Sequence, residues 1–367
     1  MERYRRLCVG LLLVVSAVGI VPTTAAGTTS THCEFPVTMT DATGTEITIE
    51  ERPERVTTTN PSAAQTMWEI GGRDQVVGLT QYASYLDGAD QRTNVSASFG
   101  VDVEKVVGTN PDLVIAPNAS AGDVQALRDA GLTVYHLQAA TDIDDIRQKT
   151  TTIGRLTGNC RGAEEANTWM DANVGAIQGL TADIEDRPRI LYPLGSGFVA
   201  ANNTFIDALF DIAGADNVAA RDHTGYPQLS NEVLLQLDPE VIVVTRDPSI
   251  ITQEPYASTT AGRNNATVAL LTRNLNQPAP RSVVNTAHNL TEQLYPERYS
   301  SDTYVPRSAV QSTPTATESQ PITATPTPQV TTATDTDVST TSGSGPGFTA
   351  VTALVAVLAS ALLARRR

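Results

Sequence analysis

GAEEANTWMDANVGAIQGLTADIED, residues 162–186, decides the architecture. Its apolar residues are Ala163, Ala166, Met170, Val174, Ile177, Leu180 and Ile184. Intervals of three and four residues lay one apolar stripe along a single helix. About 24 residues at 1.5 Å each make a rod of roughly 36 Å. Arg187-Pro188 is the expected stop, since the residue before proline is pushed out of the helical region. Similar sequence stands on both sides of this rod. Residues 69–76 (EIGGRDQV) match 211–218 (DIAGADNV), and 101–116 (VDVEKVVGTNPDLVIA) match 229–244 (LSNEVLLQLDPEVIVV) without a gap. The second pair sets Glu104 on Glu232 and Pro111 on Pro239. Two related α/β lobes joined by one rigid helix, with a cleft between them, account for this pattern. Two unrelated domains with a linker helix would leave the repeat unexplained.

Working outward, residues 36–49 alternate apolar and polar around Gly44 and read as a hairpin. Strands are then expected over 55–59, 76–79, 113–116 and 133–137, with helices over 62–70, 103–107, 124–130 and 143–156. Beyond the rod come strands over 189–193 and 241–245 and helices over 204–213, 230–237 and 280–294. Pro280 suits the first position of the last helix. Such alternation predicts mostly parallel sheets with helices on both faces. The divisions are 1–26 export signal, 27–160 first lobe, 161–187 interlobe helix, 188–304 second lobe, 305–345 stalk and 346–367 C-terminal segment.

The chain of 367 residues has a net charge of −15, yet both ends are basic, so the span between them is more acidic still. Lys105 and Lys149 are its two lysines. An acidic, lysine-poor surface suits molar salt, where screening removes self-repulsion, and reads as haloarchaeal; an ordinary acidic secreted protein also fits. It argues against nucleic acid. Arg3, Arg5 and Arg6 before an apolar run and Ala25-Ala26 form an export signal, and both Sec and Tat routes fit. Cys8 falls within it, leaving Cys33 and Cys160 as one expected disulfide. Closing so long a loop is worth up to ~5 kcal/mol in the chain-entropy account. Sequons at Asn94, Asn118, Asn202, Asn265 and Asn289 support a surface glycoprotein. The Thr/Ser/Pro-rich stretch 305–345 cannot bury a core and is expected to stay extended and O-glycosylated.

Catalytic signatures are missing from the chain: there is no Walker A loop, G-x-S-x-G, H-E-x-x-H or Cys-x-x-Cys. Gly195-Ser196-Gly197 reads as a tight turn or a phosphate loop. His32, His136, His223 and His288 lack ligand spacing, so no metal and no cofactor are expected. Aromatic and amide residues do gather in loops that follow strands: Tyr82, Tyr85, Phe99, Phe198, Asn203, Tyr226 and Gln228. In open α/β sheets ligands bind beyond the carboxyl ends of strands, so these seven are the candidate ligand contacts.

Residues 52 to about 298 resemble substrate-binding proteins of ABC importers for vitamin B12 and iron chelates. The resemblance rests on Arg55-Val56 with Asn60-Pro61-Ser62-Ala63, Ile70-Gly71-Gly72, and Asn110-Pro111-Asp112-Leu113. In the second half it rests on Asn203-Thr204-Phe205, Tyr226-Pro227-Gln228 and Asp238-Pro239-Glu240. It implies two Rossmann-like lobes, a rigid interlobe helix and a corrinoid or ferric chelate clasped between the lobes by a monomer. It also implies docking on an ABC permease through one acidic residue per lobe. Gln65 stands where the family often has Glu, so Glu69, one turn on, is the first-lobe candidate, with Asp211 in the second lobe. The last residues resemble the PGF-CTERM signal of archaeal surface proteins: Pro346-Gly347-Phe348, a short apolar run and three arginines. That implies anchoring at the cell surface, as a lipidated remnant or a retained membrane helix. A divalent-metal receptor, a surface hydrolase and a purely structural surface protein are the competing classes.

Overall fold

The chain enters its first lobe through a hairpin, β1 (Val37–Thr40) and β2 (Glu46–Ile49), whose Val37 and Ile49 join the first core. The computed structural model describes residues 33–245 and 247–310. The export signal 1–26, most of the stalk and the C-terminal segment 346–367 lie outside the described residues. In the first lobe follow β3 (Val56–Thr58), α1 (Pro61–Glu69), β4 (Val76–Leu79), β5 (Thr93–Asn94), α2 (Val103–Gly108), β6 (Leu113–Ala116), α3 (Val124–Asp129), β7 (Val134–His136) and α4 (Ile143–Thr157). The strands form one parallel sheet in the order β5-β4-β3-β6-β7. β6 (LVIA) is buried throughout, as a strand covered on both faces must be.

The rod is α5 (Cys160–Thr181), 22 residues and about 33 Å long. It begins two residues before the expected start and ends five before the expected end. Packing sets both limits. At Gly162 an added Cβ would lie 2.0 Å from the carbonyl oxygen of Ile70, so the helix crosses the end of α1 where only glycine fits. At the far end the Thr181 hydroxyl donates to the carbonyls of Ile177 (3.2 Å) and Ile212 (3.1 Å). Ile184, counted in the stripe, lies beyond the helix.

The second lobe comprises β8 (Arg189–Leu191), β9 (Pro193–Gly195), β10 (Phe198–Val199), α6 (Phe205–Ile212), β11 (Asp216–Asn217), α7 (Asn231–Leu237), β12 (Val241–Val244), α8 (Thr260–Asn264), β13 (Thr267–Ala269), α9 (Thr272–Leu275) and α10 (Pro280–Leu294). Its parallel sheet runs β11-β8-β12-β13, the same winding as β4-β3-β6-β7. β9 and β10 were not expected as a pair; they form a separate hairpin with Gly195-Ser196-Gly197 at its turn. α10 packs on α5, α1 and α6 and so spans both lobes. Its Val283, Val284, Ala287 and Leu290 are buried, and Leu294 is partly buried.

Residues 305–310 correct the expected start of the stalk, because they are held against the rod. The Trp169 indole and Asn173 amide donate to the carbonyl of Val305 (2.9 and 3.0 Å), and Val305 N donates to Asn173 Oδ1 (3.0 Å). In α11 (Arg307–Val310) the Arg307 guanidinium stacks over Trp169 at 5.1 Å. His288 completes this buried group through Asn173 Oδ1 (2.8 Å) and the Tyr299 hydroxyl (3.0 Å), and burial pulls its pKa down to about 4.

Candidate functional site

In the first sheet the winding reverses between β3 and β6, so the loops beyond their carboxyl ends part and leave a crevice. Asn60 caps α1 there by accepting from Ser62 N (2.9 Å), and Pro61 takes the first helical position. Loops after β6 and β7 add Asn118 and Thr141. The second lobe brings Asn203, Phe205 and Tyr226 across from the start of α6 and the loop after β11, with Asn276 from the loop after α9. Together they enclose a cavity of about 300 Å³ whose walls come from both lobes. That volume is at the lower end for a small-molecule pocket. Amides, hydroxyls and two aromatic rings line it, together with one ammonium, Lys149 of α4.

A larger hollow of about 1020 Å³ opens at the amino-terminal edge of the second sheet, among Arg187, Arg189, Asp211, Asp216 and Glu240. It is a charged surface at the edge away from the strand carboxyl ends, where ligands of open sheets do not bind.

The seven expected ligand contacts separate into groups. Asn203 and Tyr226 line the cavity; Asn203 is held in the left-handed region (φ 60°), and Tyr226 is 48% exposed. Tyr82 and Phe99 sit on loops past β4 and β5, at the same carboxyl edge of the first sheet but outside the cavity wall. Gln81 N joins these loops by donating to Ser96 Oγ (2.9 Å), and Phe99 stands 95% exposed. Phe198 belongs to β10, where it pairs with Gln228. Val199 N donates to the carbonyl of Pro227 (3.1 Å) and Leu229 N to that of Gly197 (2.9 Å), so residues 224–229 extend the hairpin into a flap. The Gln228 amide donates inside that flap to the carbonyl of Ser196 (2.8 Å).

Tyr85 corrects its expected role. Its hydroxyl donates to Gln65 Oε1 (2.5 Å), and Gln65 Nε2 donates to Ser282 Oγ of α10 (2.9 Å). It packs against the first core and forms part of a seam between the lobes. Glu69 corrects the expected outward carboxylate in the same way. Its side chain is 3% exposed, pairs with Arg281 of α10 and Arg307 of α11, and lies in the interior. Asp211 does face solvent, 73% exposed, with Arg187 at 2.6 Å. Cys33 and Cys160 are joined by a disulfide at the amino end of α5.

Asn60, Ser62, Phe205, Asn276 and Lys149 were not expected at the cavity. Asn60 and Ser62 were read only as a strand-to-helix turn, and Lys149 only as one of two lysines, within the helix expected over 143–156. Its rarity was the available signal, since the chain has two lysines. Among the described residues no group of three or more His, Cys, Asp or Glu could hold a metal ion.

Comparisons with known proteins agree on one family. The pattern described as periplasmic binding protein matches residues 56–271, and the PGF-CTERM motif matches residues 345–367. A cobalamin-binding protein of Halobacterium salinarum is 43% identical over 311 residues, covering 76% of this chain and 84% of that protein. A vitamin B12-binding protein of Vibrio parahaemolyticus is 24% identical over 246 residues, 65% of this chain and 88% of that one. Among solved structures, a periplasmic vitamin B12-binding protein of Vibrio cholerae superposes with a TM-score of 0.58 at 23% identity, over 68% of this chain and 99% of that one. An apo heme-binding protein of Roseiflexus gives 0.60 at 23%, over 66% and 99%. At these identities the structural matches establish the fold.

Proposed function

This chain belongs to the periplasmic binding protein family, and on that premise we propose that it captures a corrinoid in the interlobe cleft and hands it to an ABC permease. It is a transport binding protein rather than an enzyme, and its PGF-CTERM motif is a surface-anchoring signal. The observation that carries the corrinoid is the 43% identity, over most of both chains, to a cobalamin-binding protein. Tyr226 and Phe205 supply flat apolar walls, with Asn60, Asn118, Asn203 and Asn276 as directional partners for a ligand rich in amides. Tyr82, Phe99 and Phe198 extend the aromatic surface at the cleft mouth for a ligand larger than the cavity. Permease docking uses Asp211 in the second lobe. In the first lobe Asp87 takes the part once given to Glu69: it is 89% exposed, and its carbonyl accepts from the Trp68 indole of α1 (2.9 Å). The receptor acts as a monomer.

A ferric chelate or heme is the second reading. The Tyr226 phenol favours it, being an iron-ligand type of side chain at the cavity wall. Calorimetric titration with cyanocobalamin, hemin and a ferric siderophore decides between them. A micromolar or tighter Kd for cyanocobalamin alone is the expected result; tight binding of hemin or siderophore without cyanocobalamin would replace the corrinoid reading.

A further inference from the structure

Lys149 is the only charged residue among those lining the interlobe cavity, in a chain whose net charge is −15. It is 7% exposed, and its ammonium donates to Ser62 Oγ (2.8 Å) and to the carbonyl of Pro278 (2.9 Å). Both acceptors are neutral and come from opposite lobes. Among the described residues no carboxylate oxygen lies within 4.0 Å of it. Buried charges are ordinarily paired, and a lone buried ammonium is costly. Its position adds to the cost. Ser62 lies in the first turn of α1, a nine-residue helix with no acidic residue in that turn, so the cation sits at the positive end of a helix dipole. A cation and a helix amino terminus facing one cavity repel each other until an anion joins them. Two of the three ammonium donors serve the protein, which leaves one for a ligand.

We propose that Lys149, beside the amino end of α1, forms an anion subsite on the floor of the cleft, which takes a phosphate or carboxylate group of the bound ligand. The subsite rests on the cleft being the ligand site. It bridges Ser62 to Pro278, so filling it also ties the first lobe to the segment that enters α10. Burial lowers the lysine pKa to about 7, so an arriving anion draws a proton onto it near neutral pH. The titratable groups on the surrounding walls are Asp145, His136, Tyr135 and Tyr226. Asp145 is already engaged by the backbone N–H and hydroxyl of Thr141, both at 2.8 Å.

The test compares wild type, Lys149→Met and Lys149→Arg by calorimetry, with thermal melts to establish that each is folded. Cyanocobalamin carries a phosphodiester and dicyanocobinamide keeps the corrin ring without it, while hemin offers carboxylates. Lys149→Met should weaken cyanocobalamin about 10- to 100-fold and dicyanocobinamide less than about 3-fold, and Lys149→Arg should stay near wild type. Unchanged cyanocobalamin affinity in Lys149→Met, or equal losses for both corrinoids, would overturn the subsite and leave the corrinoid reading standing. If wild type binds hemin instead, the same comparison is read there, and a Lys149-dependent loss assigns the anion as carboxylate. If wild type binds none of them, inorganic phosphate decides. A rise in Tm that Lys149→Met abolishes keeps the subsite while the corrinoid reading falls, and no rise in wild type overturns both.

Discussion

The two lobes repeat one design down to single hydrogen bonds. Arg55 N donates to the Asp112 carboxylate (2.8 Å) and Asp112 N donates back to the Arg55 carbonyl (2.8 Å). At the equivalent place Arg189 N donates to Glu240 (3.0 Å) and Glu240 N to the Arg189 carbonyl (2.8 Å). Asn110 and Asp238, each before a proline, share a positive φ of 46° and 40°. Even the rod meets the lobes alike, touching the carbonyl of Ile70 at one end and of Ile212 at the other. The lobes part company at the matched acids. Glu69 is buried under α10 and α11, whereas Asp211 stands in solvent. A repeat therefore transmits backbone and strand order, while the neighbours packed on each copy decide what an equivalent carboxylate does.

Replacing those two acids should give the widest contrast. Glu69→Ala leaves the part-exposed guanidinium groups of Arg281 and Arg307 without their buried partner and is expected to cost about 1–3 kcal/mol. Asp211→Ala should stay within about 0.5 kcal/mol. Denaturant unfolding measures both, and equal losses would erase the distinction between the lobes. Next in size are the ends of the rod. Gly162→Ala drives a methyl into the Ile70 backbone and should cost about 1–3 kcal/mol, against roughly 1 kcal/mol for Thr181→Ala, which loses hydroxyl bonds. A neutral Gly162→Ala would show that the rod can slide on the first lobe.

Binding gives the third contrast, across the cleft instead of along the rod. Tyr226→Ala removes a ring from the cavity wall and should weaken the ligand about 5- to 150-fold, from roughly 1–3 kcal/mol of lost contact. Phe99→Ala, outside the cavity wall, should cost less. The reverse order in calorimetry would place the ligand on the first-lobe loops. The smallest effect per step is with pH. Burial lowers the Lys149 pKa from 10.5 to about 7, so between these values the unfolded chain holds a proton that the folded chain lacks. Stability conferred on wild type should therefore rise with pH across that window, by at most about 1.4 kcal/mol per unit, and level off below it. Lys149→Met should lack that contribution; identical pH profiles would mean that the lysine is hydrated in the folded state.

Much of this was readable in the chain itself. The stripe at residues 163–180, the matched segments around it and the runs LVIA and VIVV determined the rod, the repeat and both parallel sheets, because periodicity and β-branched runs are local properties. Asn60-Pro61-Ser62 marked a helix start for the same reason. Tertiary structure alone decided where the rod stops, since Gly162 and Thr181 answer to Ile70 and Ile212, which are distant in sequence. It likewise decided that Tyr85 and Glu69 turn inward while Tyr226 stays at the cavity, and that residues 305–310 clasp the rod. Lys149 illustrates the physical reason. An amphipathic pattern can say that a lysine lies on a helix, but its charge acquires meaning only from the groups brought around it, here a helix amino terminus and two neutral oxygens from two lobes.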